Sequence, residues 1–468
     1  MTLPAEHVAA LTALVGPPAV RPAAELAARD PGVDPRNLGA ALMLRPADTA
    51  GVARVLAYCH AARIGVVPQG GRTGLSGGAE SSADEVILSL DRLDRIEVLD
   101  PVSRVAVAGA GVTLAALAAA AAEHRLAPGI DLGARDSATL GGLVSTNAGG
   151  NDAFRYGTMR ERVLGLEAVL ADGTVLSALG RVRKRNEGLA VEQLLIGAEG
   201  TLGVVTRVAL ALVAADEPVA TALTAVADAG AAVALCERVR GATAVRAVAI
   251  ELMSGSHARA ACRESAVREF DALARAPYLV LVEASAATAA AAEAGLVELL
   301  AAATDSGLLA DATLAQSEAQ RRAMWRIREE WAIDRERPGG LWYDVSVPLA
   351  ALPGYLDGCA ARLRAHDAAL DLVVIGHLAD GNVHVTVNAD HPISERYEEI
   401  APLVTDALPA LGGSFSAEHG IGLEKRATLA RLGDPARLEL MRRIKALLDP
   451  RGILNPGKVL RGAPDSAA

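Results

Sequence analysis

The chain has 468 residues, 51 % hydrophobic but only 3 % aromatic, and a net charge of −10 at pH 7. That length suggests about three domain-sized units with cores of Ala, Leu and Val, and the acidic balance argues against nucleic acid and anionic membrane surfaces as partners. Four cysteines (Cys59, Cys236, Cys262, Cys359) at no metal or redox spacing, and no basic-then-apolar leader, predict a reducing, cytoplasmic setting without a disulfide framework.

Residues 1–36 alternate Ala-rich helical pieces with prolines and read as an N-terminal helical lead. After a short extended piece at 42–46, Asp48 and Thr49 offer caps for a helix through Ala62. Residues 64–67, β-branched apart from Gly65, predict a buried strand running into P-Q-G-G-R-T-G-L-S-G-G at 68–78. Gly70, Gly71, Gly74, Gly77 and Gly78 permit a loop whose N–H groups converge on an anion. A tight turn with spare glycines is an equal reading, and neither the lysine of the nucleoside-triphosphate loop nor G-x-G-x-x-G is present. A strand at 86–90 and a hairpin of 96–99 with 104–108 follow. Residues 105–122 are uncharged, but Gly109 and Gly111 interrupt them, so a strand and an Ala-rich helix from Thr113 explain them better than a membrane span.

Residues 131–150 are dense in glycine and small polar residues and read as a long functional loop. Strands at 163–170 and 175–179 form a hairpin, and a third glycine-rich string at 194–203 precedes a strand at 204–213. Composition shifts at Asp216-Glu217-Pro218, where a domain boundary is expected. From 219 to 412, strands at 245–252, 278–283, 343–347 and 372–375 alternate with helices at 286–303 and 316–337. This is an α+β pattern, antiparallel strands with helices on one face. Helices return at 424–431 and 435–448, followed by N-P-G-K at 455–458 and a polar tail.

The second domain contains G-H-L-A-D-G-N-V-H at 376–384. A strand precedes His377, A-D-G-N is a turn, and a hairpin folds His377 and His384 back toward each other. Two imidazoles beside a carboxylate make a divalent-metal site, with Glu418 of the S-A-E-H-G-I-G string as candidate third ligand. His419 is adjacent to Glu418, so in an extended segment one side chain can face metal and the other a substrate. Three of the nine histidines thus fall in two glycine-rich strings. Arg328, on a helix, can bind a carboxylate through two parallel hydrogen bonds or pair with a nearby glutamate.

In order and in kind, these strings resemble the flavin-dependent D-2-hydroxy-acid dehydrogenases, from about residue 38 to 460. That family includes D-2-hydroxyglutarate dehydrogenase, D-lactate dehydrogenase and the glycolate oxidase flavoprotein subunit. The resemblance implies an α+β protein. It comprises a two-subdomain vanillyl-alcohol-oxidase-type FAD-binding domain (37–216), an antiparallel-sheet substrate and metal-binding cap domain (217–423), and a C-terminal helical segment (424–468) that returns to the FAD domain. It implies that Pro68, Gly70, Gly71, Arg72, Thr73, Gly74, Leu75, Gly77 and Gly78 wrap the FAD pyrophosphate. Asp131, Leu132, Gly133, Ser137, Thr139, Gly141, Gly142, Ser145, Thr146, Asn147, Gly149 and Gly150 then hold the rest of the cofactor with Glu199, Gly200, Gly203 and Val204, and Asn455 closes over the flavin. His377, His384 and Glu418 correspond to ligands of zinc, or manganese in some relatives. His419 corresponds to the catalytic base, Asn382 to a substrate-proximal asparagine and Arg328 to the anchor of the substrate carboxylate. The pattern departs at Ala332 and Trp342, where D-2-hydroxyglutarate dehydrogenases usually carry a threonine and a lysine, which leaves substrate size open.

The leading expectation is therefore FAD- and metal-dependent oxidation of a small D-2-hydroxy acid. Electrons pass on to an electron-transfer flavoprotein, a quinone or a cytochrome, and a homodimer is one arrangement. Rival readings are a metal-independent FAD oxidase that uses oxygen, a zinc hydrolase with structural glycine loops, and a non-catalytic flavin-binding subunit.

Overall fold

The computed structural model describes residues 3–215 and 218–460. Asp216 and Glu217, at the expected boundary, and the polar tail after Leu460 lie outside them. The chain forms two compact units, Met1–Ala215 with Glu418–Ala468, and Asp216–Ala417. Glu418 to Leu423 thus pack with the first unit.

In the first unit, the valine-rich strand Gly65–Gln69 lies parallel to Glu85–Ser89, which lies parallel to Leu42–Leu44. Val20–Pro22 adds antiparallel to Leu42–Leu44, so the proline-punctuated lead supplies a strand as well as helices. The helix Thr49–Ala62 packs Val52, Val55 and Leu56 into this sheet's core; Asp48 caps it, accepting from the Gly51 N–H at 2.7 Å. A second sheet has five antiparallel strands, ordered Ile96–Asp100, Val105–Gly109, Val204–Ala211, Val163–Val169 and Val175–Ala178. The uncharged stretch resolves into the strand Val105–Gly109 and the helix Leu114–Ala122, capped by Thr113. No helix among the described residues is long and apolar enough to cross a membrane.

Residues 131–150 are not loop throughout. Leu140–Thr146 is a helix, ended by Asn147 in the left-handed conformation. Its glycines disguise it in the sequence. Gly141 is needed because a Cβ there would sit 2.7 Å from the Ala110 Cβ.

The second unit is a seven-stranded antiparallel sheet, ordered Asp311–Leu314, Val219–Val226, Tyr278–Ser285, Arg246–Ser254, Asp371–His377, Asn382–Asn388 and Leu341–Ser346. The Ala- and Thr-rich strands Val219–Val226 and Asp311–Leu314 escaped sequence reading. Their partners in the sheet decide their conformation more than their own propensity does. The helix expected over 316–337 is broken into Glu318–Glu329 and Ala332–Glu336. Glu330 is extended at the break, its carboxylate accepts the Trp331 N–H at 2.9 Å, and the Trp331 ring stacks on Trp342.

Candidate functional site

In the first unit, three glycine-rich strings assemble at the end of the strand Gly65–Gln69. A Cβ on Gly70 would lie 2.1 Å from Thr139 Oγ1, and one on Gly71 would lie 1.9 Å from the Ser137 carbonyl oxygen. These two glycines therefore let the 68–78 loop lie directly on the segment entering the helix Leu140–Thr146. The third string joins through the Gly197 N–H to the Val144 oxygen at 3.0 Å and the Glu199 N–H to the Ser145 oxygen at 2.8 Å. Gly150, at φ 72°, closes the second string with a Cβ position 1.9 Å from the Asp131 oxygen. Gly74 and Gly133, by contrast, have nothing within 4 Å of a Cβ position. Arg72 Nε and Thr139 Oγ1 are buried without a partner. Open glycine surface beside unsatisfied buried polar atoms fits a large ligand that brings its own donors and acceptors.

The E-H-G segment is clamped onto the same loop. Both Glu199 carboxylate oxygens accept backbone N–H groups, from Ile421 at 2.7 Å and Gly422 at 2.8 Å. Burial pushes the Glu199 carboxyl up, while those two N–H groups and Lys425 pull it back. Its side chain is thus engaged in holding chain, whatever its backbone faces. Ser76 Oγ donates to the His419 carbonyl oxygen at 2.9 Å, and Glu418 Oε1 accepts from the Gly150 N–H at 3.0 Å. Asn455 Nδ2 donates to the carbonyl oxygens of Gly78 (2.9 Å) and Glu199 (2.7 Å), tying the C-terminal return to two of the strings. Val204 is 1 % exposed and its side chain belongs to the first sheet's core.

In the second unit, the expected hairpin forms between Asp371–His377 and Asn382–Asn388. His377 pairs with Asn382 and Ile375 with His384, which puts both histidines on one face. Their rings meet edge to face with centroids 5.7 Å apart. Gly381 makes the turn at φ 76°, with a Cβ position 2.1 Å from the Val347 oxygen.

Two residues that sequence reading passed over govern this face. Glu251, 2 % exposed, lies 3.0 Å from His377 Nδ1 and accepts from Arg328 Nε at 2.8 Å. Burial alone would raise its carboxyl, but His377 and Arg328 hold it down at about 2. A carboxylate on Nδ1 fixes the imidazole tautomer and turns Nε2 outward as a ligand atom. Arg328 is 7 % exposed, so it is a buried arginine with a buried partner rather than a surface one. Asp344, 1 % exposed, lies 3.7 Å from His384 Nδ1 and accepts from Asn382 Nδ2 at 3.0 Å. Asn382 Nδ2 also donates to the Val345 oxygen at 2.9 Å, while Asn382 Oδ1 is buried with no partner. The available signal was one acidic residue inside an otherwise apolar strand, in A-I-E-L-M and in W-Y-D-V.

Residues 40–178 match the family described as FAD binding domain, and residues 215–459 match FAD linked oxidases, C-terminal domain. The chain is 38 % identical to the mitochondrial D-2-hydroxyglutarate dehydrogenase of Bos taurus over 90 % of its own length and 76 % of that protein. It is 35 % identical to the D-2-hydroxyglutarate dehydrogenase of Xanthomonas citri pv. viticola, over 88 % of each chain. It is 33 % identical to a putative mitochondrial D-lactate dehydrogenase of Schizosaccharomyces pombe, over 89 % of this chain and 81 % of that one. Among solved structures, p-cresol methylhydroxylase with substrate bound superposes at a TM-score of 0.75 with 16 % identity, covering 97 % of this chain and 96 % of that one. An alkyldihydroxyacetonephosphate synthase does so at 0.71 with 17 % identity, covering 96 % and 84 %. The vanillyl-alcohol-oxidase-type α+β fold implied by the sequence is the fold of this chain.

Proposed function

Since this chain belongs to the FAD-linked oxidases, as a flavin-dependent D-2-hydroxy-acid dehydrogenase, we propose that it oxidises a D-2-hydroxy acid of D-lactate or D-2-hydroxyglutarate type with a divalent cation held by His377, His384 and Glu418. The observation that carries the metal is the buried Glu251 carboxylate on His377 Nδ1, which turns the other ring nitrogen outward on the face shared with His384. When bound, FAD supplies the electron acceptor and zinc or manganese a Lewis acid that lowers the pKa of a hydroxyl.

The chain's own residues do the rest. Arg328 keeps Nε on Glu251 and presents its remaining N–H groups to the substrate carboxylate, in the paired geometry that guanidinium favours. His419 takes the hydroxyl proton, the general-base role most often filled by an imidazole. Its backbone is pinned by Ser76, so the imidazole is aimed by a fixed stretch of main chain. Asn382, whose Oδ1 is buried without a partner, lies beside the substrate. The glycine strings, with Asn455, cradle the cofactor. A separate carrier, electron-transfer flavoprotein, quinone or cytochrome, takes the electrons onward.

An anaerobic screen of D- and L-2-hydroxy acids for loss of the flavin absorbance tests this reading. Bleaching by D-acids that stops on chelation and returns with zinc or manganese is expected. His419→Ala should stay yellow and fail to bleach. Full activity after chelation, with stoichiometric peroxide in air, would favour the metal-independent oxidase, and rapid bleaching of His419→Ala would remove His419 as the base.

A further inference from the structure

The sheet face that carries the two histidines continues into a recess. Alternate residues of a strand share a face, so Thr386 stands on the same side as His384, about 7 Å further along. Thr386 pairs with Val373 on one neighbouring strand and with Trp342 on the other, one step beyond the row of Ile375, His384 and Asp344. Trp331 and Ile333, from the broken helix that begins with Arg328's segment, line the same recess with these side chains and Ile375. Trp331 stacks on Trp342 at 4.6 Å between ring centroids and is itself 50 % exposed, an indole left at the opening.

The charge of this recess is as telling as its apolarity. Among the described residues that line it there is no lysine or arginine. Its one carboxylate, Glu330, is bonded to Arg335, to Ser265 Oγ at 3.2 Å and to the Trp331 N–H at 2.9 Å. Arg335 is shared with Glu264 at 3.0 Å, so that guanidinium already serves two carboxylates. His257 is 2 % exposed, lies 2.9 Å from the Ile327 oxygen, and is pushed by burial down to about 4, hence neutral at pH 7. A second substrate carboxylate placed here would lose its water beside Glu330 and meet no cation among the lining residues, an arrangement proteins avoid. An alkyl or aryl group would meet two indoles and three aliphatic side chains, and because the cavity as it stands is only about 10 Å³ the half-exposed Trp331 ring must move aside to admit it.

We infer that this recess receives the substrate's side chain, and that the preferred substrates are D-2-hydroxy acids with a neutral aliphatic or aromatic side chain rather than dicarboxylic ones. The inference rests on the proposed oxidation of a D-2-hydroxy acid. Trp331 and Trp342 are then the specificity-determining residues. Thr386 marks the point where the substrate turns from the polar row of Asp344 and His384 into the apolar one.

The test uses the flavin-loaded full-length protein and two readouts. Anaerobic bleaching is timed with D-2-hydroxy-4-methylpentanoate, D-3-phenyllactate, D-lactate and D-2-hydroxyglutarate. Tryptophan fluorescence is titrated with the same acids, since two of the three tryptophans line the recess. The two apolar acids should bleach the flavin about 10-fold or more faster per mole than D-2-hydroxyglutarate, the range a hydrophobic pocket commands. They should also quench saturably, and Trp342→Lys should shift the preference toward the dicarboxylic acid. Equal or faster bleaching of the wild-type protein by D-2-hydroxyglutarate overturns the inference, whatever the variant does. Saturable quenching by the apolar acids without bleaching by any acid would keep the recess and sink the oxidation reading. Absence of both sinks the two together.

Discussion

Glu251 holds a guanidinium and an imidazole from inside a sheet, and that is a costly place for a charge. Its desolvation is offset only by the paired contacts to His377 and Arg328. Glu251→Gln leaves the Arg328 guanidinium buried without its counter-charge. The variant should lose about 3 kcal/mol of stability in denaturant titrations. It should also bind zinc about 10-fold more weakly in calorimetry of the chelator-stripped protein. Unchanged zinc affinity would show that His377 needs no orienting carboxylate. Asp334 gives a different titration. Burial raises its carboxyl to about 6, against a small opposing pull from Arg335. The folded state therefore holds that proton more tightly than the unfolded chain, so stability falls as pH rises from about 4 to 6 and stays lower above. Asp334→Asn should flatten that decline and raise the thermal midpoint at pH 7; an unaltered pH profile would refute the assignment. Neither Glu251 nor Asp344 was legible as a site residue. Each is one charge in an apolar strand, and the His377 that gives Glu251 its meaning is 126 residues away.

At the scale of elements, legibility followed local chemistry. The helices Thr49–Ala62 and Pro435–Leu448 begin where Asp48 and Asp434 cap them, and a cap is written in the few residues around it. The break after Glu329 was not, because Trp331 leaves the helical path to stack on Trp342 from another strand. The glycine loop shows how one sequence motif mixes two purposes. Gly71 is required by packing, whereas Gly74 faces open space. Gly71→Ala should cost about 2 kcal/mol or more, with a Cβ forced onto a carbonyl oxygen. Gly74→Val should keep the wild-type denaturation midpoint yet retain less bound flavin, read from the absorbance of the purified protein. If both variants lose stability alike, Gly74 belongs to the packing set too.

For the molecule as a whole, order of motifs carried more information than any one of them. A glycine-rich string alone weighed equally between ligand and turn, and two FAD-linked family matches now cover both ends of the reading. The four cysteines are free, and all four are buried. The return of residues 453–455 to the first unit, expected from the N-P-G-K string, is made at Val66, whose N–H donates to the Ile453 oxygen and whose oxygen accepts the Asn455 N–H, each at 2.8 Å. Asn455 then grips Gly78 across a sequence separation of 377. On the ribosome, the cradle's first wall thus emerges long before its latch. The nascent protein must wait with that wall unlatched until the segment around Asn455 has been made, and a cofactor arriving before then would find nothing to shut behind it.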